Sequence, residues 1–166
     1  MKQLEVYFDY HCPHCYKGHQ NLKQLLPHHP DVQILWQPCE AHPRPEVRDL
    51  YTDVATMGMY CVRDCGGDVD RYNDLVYEAH FQKKQRIDDP DVLTAIALTC
   101  GADEKTFRAA LTDKGYADEV YQANIRAWMT HGWEAVPSYI CEGKKIGSRG
   151  GVAVPLEDLD QFLGGC

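Results

Sequence analysis

"QLEVYFDYHCPHCYKGH", residues 3–19, runs a strand-like segment straight into a cysteine pair. Leu4, Val6 and Phe8 alternate with Gln3, Glu5 and Tyr7, the two-residue period of a half-buried β-strand. From Cys12 the period changes. Leu22, Leu25 and Leu26 recur at helical spacing until "PHHP", residues 27–30, ends the run, so the spacing predicts a helix over about residues 13–26. Cys12 and Cys15 then sit at its N-terminus. "VQILW", residues 32–36, reads as a second strand before the Pro-rich loop "PCEAHPRPE", which completes a β-α-β opening.

The middle of the chain is helical by pattern. Val47, Leu50, Val54, Met57 and Cys61 form one stripe that Gly66 and Gly67 break, and Tyr72, Leu75, Val76 and Ala79 form the next. In a third, Asp89 caps, Pro90 takes the first helical position, "VLTAIAL" follows and Gly101 stops it. Residues 103–112 and 116–131 predict two more, the last ended by Gly132. Strand character then returns: "PSYIC" and "KKIGS" flank "EGK" as a hairpin with a three-residue loop, and "PLEDLDQFLG" is a last helix from Pro155 to Gly164. The class is α/β, in the order β-α-β, helices, β-β-α. The 166 residues are expected to form a single domain with its core in residues 1–40 and 116–166 and an all-helical insertion over about 41–115.

The formal net charge is −8, and Lys and Arg are scattered without a run of five, which argues against nucleic acid as a partner. No apolar stretch approaches the roughly 20 residues that span a bilayer, and no signal-type apolar segment follows Met1. A cytoplasmic location without a membrane partner is therefore expected. The eight cysteines are 12, 15, 39, 61, 65, 100, 141 and 166, in a chain too large to need a disulfide scaffold. Cys39, Cys100 and Cys141 are expected to be small buried apolar residues, and Cys166, closing "GGC", to lie in a disordered end.

Cys12 and Cys15 have a physical use at a helix start. The unpaired N–H groups and the positive end of the helix dipole favour an anion, so Cys12 is the expected thiolate and Cys15, one turn further in, the resolving thiol. Pro13 opens the helix, and His14 adds a donor beside the Cys12 sulfur. The alternative is a zinc-binding module using His11, Cys12, His14, Cys15 and His19. Against it, structural zinc sites usually draw a second ligand pair from about 12–20 residues away, whereas Cys61 and Cys65 lie much farther downstream. Disulfide exchange, unlike that alternative, needs neither metal nor cofactor.

With these motifs in place, the sequence resembles the DsbA-type members of the thioredoxin superfamily, above all the cytoplasmic FrnE-like dithiol-disulfide isomerases. The likeness rests on "FDYHCPHCY" after a strand, a helical block, then "GWEAVPSYICEGKKIGSRGG" and a last helix. It implies a thioredoxin-like fold and a thiol-disulfide oxidoreductase or isomerase. It also implies that Pro137 is a cis-proline against Cys12 and Cys15, with the backbone of Val136 offered to a substrate strand. Implied substrates are disulfide-containing proteins or low-molecular-weight thiols, with a reducing partner such as thioredoxin or glutathione. Cys12 would then titrate well below 7, toward the roughly 3.5 of DsbA itself. Some FrnE-like proteins have an auxiliary cysteine pair, which makes Cys61 and Cys65 a candidate second redox centre. Related glutathione-dependent transferases and isomerases use Ser where Cys12 stands. The family's proton-relay acid, six positions before the first cysteine, is replaced here by Val6, leaving Asp9 and His19 as candidates for that role.

Overall fold

The computed structural model describes residues 1–166. Two compact units divide them: residues 1–41 with 123–166, and residues 42–122. The first unit is a four-stranded sheet with helices on its faces. β1 (Lys2–Phe8) pairs in parallel with β2 (Val32–Pro38), as a helical crossover requires, and antiparallel with β3 (Ser138–Cys141). β4 (Lys144–Gly147) completes the order β2-β1-β3-β4. Between β1 and β2 runs α1 (Pro13–Leu25), followed by a 3₁₀ turn, Leu26–His28.

Register decides which side chains meet α1. Val6 stands opposite Tyr139, and Leu4 opposite Cys141, so these four share one face of the sheet. Tyr7, one residue out of phase, points to the other face, where its ring meets His131 and Trp133 at 5.3 and 5.6 Å. The two residues between β3 and β4, Glu142 and Gly143, have φ of 49° and 81°. Both central residues of a type I′ turn need such angles, and the Cys141–Lys144 pair closes the hairpin directly. The loop is therefore two residues long instead of three. α7 (Leu156–Gly165) ends the unit with Leu159 and Leu163 fully buried.

Cys166 is not a loose end. It forms a disulfide with Cys141, which joins the C-terminus of α7 to β3, and Lys144 Nζ donates to the Gly165 carbonyl beside it. The expectation of a disordered terminus, and of Cys141 as a mere core filler, is corrected accordingly.

The second unit contains α2 (Asp53–Asp64), α3 (Val69–Phe81), α4 (Pro90–Leu98), α5 (Glu104–Ala110) and most of α6 (Lys114–Asn124). The side chains of Asp68, Asp89 and Asp103 cap α3, α4 and α5 by accepting from N–H groups two or three residues on. α2 begins later than the apolar stripe predicts. Val47 is 93% exposed, and residues 45–52 are not helical. Instead, Tyr51 Oη takes the N–H of Arg48 and donates to the Glu46 carbonyl, while the Arg44 guanidinium lies 4.0 Å over the Tyr51 ring. After α6 the chain widens into a π-helical turn, Ile125–Thr130, in the first unit. No helix is long and apolar enough to cross a membrane.

Candidate active site

Cys12 is the N-cap of α1: its backbone is extended, with φ −82° and ψ 119°, and its sulfur takes the N–H of Cys15 at 3.4 Å. A capping position normally holds a Ser, Thr, Asp or Asn oxygen. Here a thiol fills it, so the helix end solvates the sulfur directly. Pro13 follows at the first helical position, where a missing N–H costs nothing. The side chains of Pro13 and His14 are both exposed. The N–H of His14 also points to Cys12.

Cys15 is 1% exposed, and its sulfur receives the Asp9 N–H at 3.4 Å. Across the site, Cys12 Sγ donates to the Val136 carbonyl at 3.8 Å. The Val136–Pro137 peptide is cis. The structure thus brings Cys12, Cys15 and Val136 together, with Pro137 beside them, although 121 residues lie between Cys15 and Pro137 in the sequence.

Gly18 is what lets the loop approach the helix. A Cβ there would lie 2.7 Å from Tyr139 Oη and 3.0 Å from Pro137 Cγ. A glycine one turn after a helical cysteine pair was the available sequence signal for this close approach. Tyr139 is buried under α1 opposite Val6, so position 6, under the cysteine pair, is apolar and packed.

The remaining polar groups shape the rim. Asp9 is 5% exposed; one carboxylate oxygen takes the His11 N–H and the other the Ala41 N–H at 2.9 Å. It thereby fixes the turn into Cys12 against the end of β2. His19 is buried with its ring 5.5 Å from Trp36. Cys39 is buried with its sulfur on the Phe8 carbonyl, and burial pushes its thiol well above the ordinary range.

The two site thiols are pulled in opposite directions. The Cys15 thiol bonding to the Cys12 sulfur, helped by the N–H groups of Cys15 and His14, outweighs burial and the Asp9 charge and lowers Cys12 from 9.0 to about 7. Burial, with the charge that Cys12 itself carries, raises Cys15 well above 9.0. The lowering stops short of a value well below 7, because burial and Asp9 both oppose the helix end.

A pH prediction follows. Only the thiolate reacts with iodoacetamide, so the Cys12 alkylation rate should rise with pH and reach half its plateau near pH 7. A lowered folded pKa also means that this thiolate stabilises the reduced fold above the unfolded value, an advantage lost as pH falls through about 7. A half-plateau at pH 9 would contradict the site geometry.

A family model described as a DSBA-like thioredoxin domain matches residues 3–47, the stretch that holds β1, the cysteine pair and β2. Over the whole chain, the fold is similar to a probable DsbA oxidoreductase from Streptomyces coelicolor, with a TM-score of 0.79 over 98% of this chain and 88% of that one at 20% identity. This is a DsbA-type thioredoxin fold. The DsbA-type likeness extends to a putative protein disulfide isomerase from Nitrosomonas europaea, with a TM-score of 0.76 over 98% and 96% of the two chains at 14% identity. Pseudomonas aeruginosa DsbA gives 0.70 over 98% and 80% at 19% identity. In sequence, the chain is 28% identical to the uncharacterized protein YwbO of Bacillus subtilis (strain 168), covering 82% of this chain and 85% of that protein.

Proposed function

We propose that this DsbA-type chain is a thiol-disulfide oxidoreductase whose nucleophile is Cys12 and whose resolving thiol is Cys15. The observation that carries the reading is the Cys12 sulfur itself: it caps a helix, faces the Val136 carbonyl and has a buried second thiol, Cys15, hydrogen-bonded to it. Cys12 thiolate attacks one sulfur of a substrate disulfide and expels the other as a thiolate. Cys15 then attacks Cys12, releasing the reduced substrate and leaving the Cys12–Cys15 disulfide. Val136 and Pro137 present backbone to an extended substrate segment, and an external dithiol or glutathione returns the pair to the reduced state.

The thiol balance favours reduction or isomerisation over strong oxidation. A Cys12 value of about 7 matches the thioredoxin class, near 7, and not the strongly oxidising DsbA class, near 3.5. Low thiol pKa stabilises the reduced enzyme, so a smaller lowering means a weaker oxidant. In a reducing cytosol such a pair rests reduced, the state in which it can attack an aberrant disulfide, as a FrnE-like isomerase would.

A zinc module on the same cluster has less support. It needs at least a third ligand placed with the thiols, and no group of three or more His, Cys, Asp or Glu side chains is arranged so that it could hold a metal ion. The test is catalysis of insulin reduction by dithiothreitol, together with the potential measured against glutathione. Turnover above the uncatalysed rate and a potential more negative than about −180 mV are expected. No catalysis sinks the enzyme reading, and a potential near −120 mV sinks the reductive poise.

A further inference from the structure

Cys61 lies in the last turn of α2 and Cys65 is its C-cap, with their sulfurs 4.0 Å apart. Residues four apart on a helix have Cα atoms about 6 Å apart, inside the window of about 4.4–6.8 Å that disulfides span. Closing to the roughly 2 Å of an S–S bond requires the sulfurs to move together by about 2 Å. That movement is confined to the helix end. The turn is finished by Gly66 N–H on the Arg63 carbonyl and Gly67 N–H on the Val62 carbonyl, with Gly66 at φ 71°. The Cys65 N–H itself is bonded to the Cys61 carbonyl at 2.9 Å and reaches that of Arg63, so closure is made by side-chain rotation and loosening of this last-turn bond.

The pair is also asymmetric. Cys61 is 2% exposed, whereas Cys65 is exposed. One thiol is open to attack a disulfide in solution, and the other is placed behind it to resolve. The order is the reverse of the Cys12 site, where the exposed thiol comes first in the chain. The electrostatics are reversed as well. This is the negative end of a helix dipole, with Asp64 between the thiols, and burial followed by the Cys65 charge raises Cys61 to about 12. The nearby cation offers little relief: Arg63 is held by Asp64 and by both carboxylate oxygens of Glu119.

We propose that Cys61 and Cys65 form a second redox dithiol that low-molecular-weight disulfides oxidise, and that it is more reducing than the Cys12–Cys15 pair. Cys65 thiolate attacks one sulfur of the small disulfide, forming a mixed disulfide and expelling one thiolate. Cys61 then attacks the Cys65 sulfur, its proton passing to the second departing thiolate. Overall, two protein thiols and one small disulfide become one protein disulfide and two small thiols. A buried thiol at the negative end of a helix, whose thiolate is poorly stabilised, favours the disulfide, and the Cys12 thiolate at the positive end of α1 favours the reduced pair, which sets the direction of the difference.

The full chain tests this in glutathione redox buffers, quenched with acid, alkylated and digested, with each cysteine pair read by mass spectrometry. The Cys61–Cys65 disulfide should be half formed in a buffer at least tenfold more reducing than the one that half-closes Cys12–Cys15. Cys65→Ser should remove that disulfide and leave Cys12 alkylation unchanged. Free Cys61 with glutathione held on Cys65, or both thiols free where Cys12–Cys15 is closed, overturns the proposal; so does closure only in more oxidising buffers. Because glutathione is the oxidant, the measurement stands whether or not the chain reduces insulin.

Discussion

Cys12→Ala is expected to bring disulfide reduction down to the uncatalysed rate, although a second thiol remains in the site. Ionisation and access act together. At pH 7 about half of Cys12 is thiolate, whereas burial holds Cys15 well above its ordinary range and keeps it as the thiol. Access adds to this: Cys15 is 1% exposed and lies behind Cys12. Cys15→Ala should differ in kind, giving one equivalent of a Cys12–substrate mixed disulfide that persists. Retention of more than a tenth of the wild-type turnover by Cys12→Ala would show that Cys12 is not the nucleophile.

Cys166→Ser should lower the thermal midpoint by about 7–14 °C while leaving the active site intact. The Cys141–Cys166 disulfide spans a sequence separation of 25, and for a loop of about that length the chain-entropy relation gives about 3.5 kcal/mol. For a chain of this size each kcal/mol moves the midpoint by about 2–4 °C. The native contacts need not change much, since Leu159 and Leu163 still dock α7. The loss acts mainly on the unfolded chain, which regains freedom when the loop opens. Cys166 is the better position to change, because Cys141 is fully buried and a hydroxyl there would add a desolvation penalty. Wild-type protein in excess reductant should melt with the variant. A shift under 2 °C would mean that the bridge contributes little.

The opening β-α-β and the cysteine pair at a helix start are legible in sequence as local changes of period, whereas the place of Pro137 beside them is expected only from the family resemblance. The apolar alternation stops at Phe8, helical spacing starts after Cys12, and Asp89 with Pro90 marks α4 to the residue. The late start of α2 is not legible. Val47 and Leu50 continue the stripe, and only tertiary contacts show that Tyr51, not a helical ladder, holds that backbone. The Cys141–Cys166 bridge is likewise hidden, since pairing depends on β3 and the end of α7 meeting in space. The Cys12 ionisation was read in direction but not in size. The helix end is local, whereas the burial and Asp9 charge that oppose it arise from the fold.

Asp9, Glu40 and Asn124 also bear on how such chains diversify. Glu40 N–H donates to Asn124 Oδ1, Asn124 Nδ2 returns a bond to Glu40 Oε1, and Trp128 Nε1 donates to the Glu40 carbonyl. The chain leaves the thiol-bearing unit after Ala41 and re-enters it at Ala123, one residue beyond Glu40 and one before Asn124. Their mutual bonds tie the two strands of chain together, as a stem, inside the thiol-bearing unit. A longer or shorter helical segment on such a stem costs only loop entropy, about 0.6 kcal/mol for each doubling of length. The seam is thus a tolerant splice point, where natural variation can rebuild the helical part wholesale while the sulfur chemistry beside Asp9 is inherited unchanged.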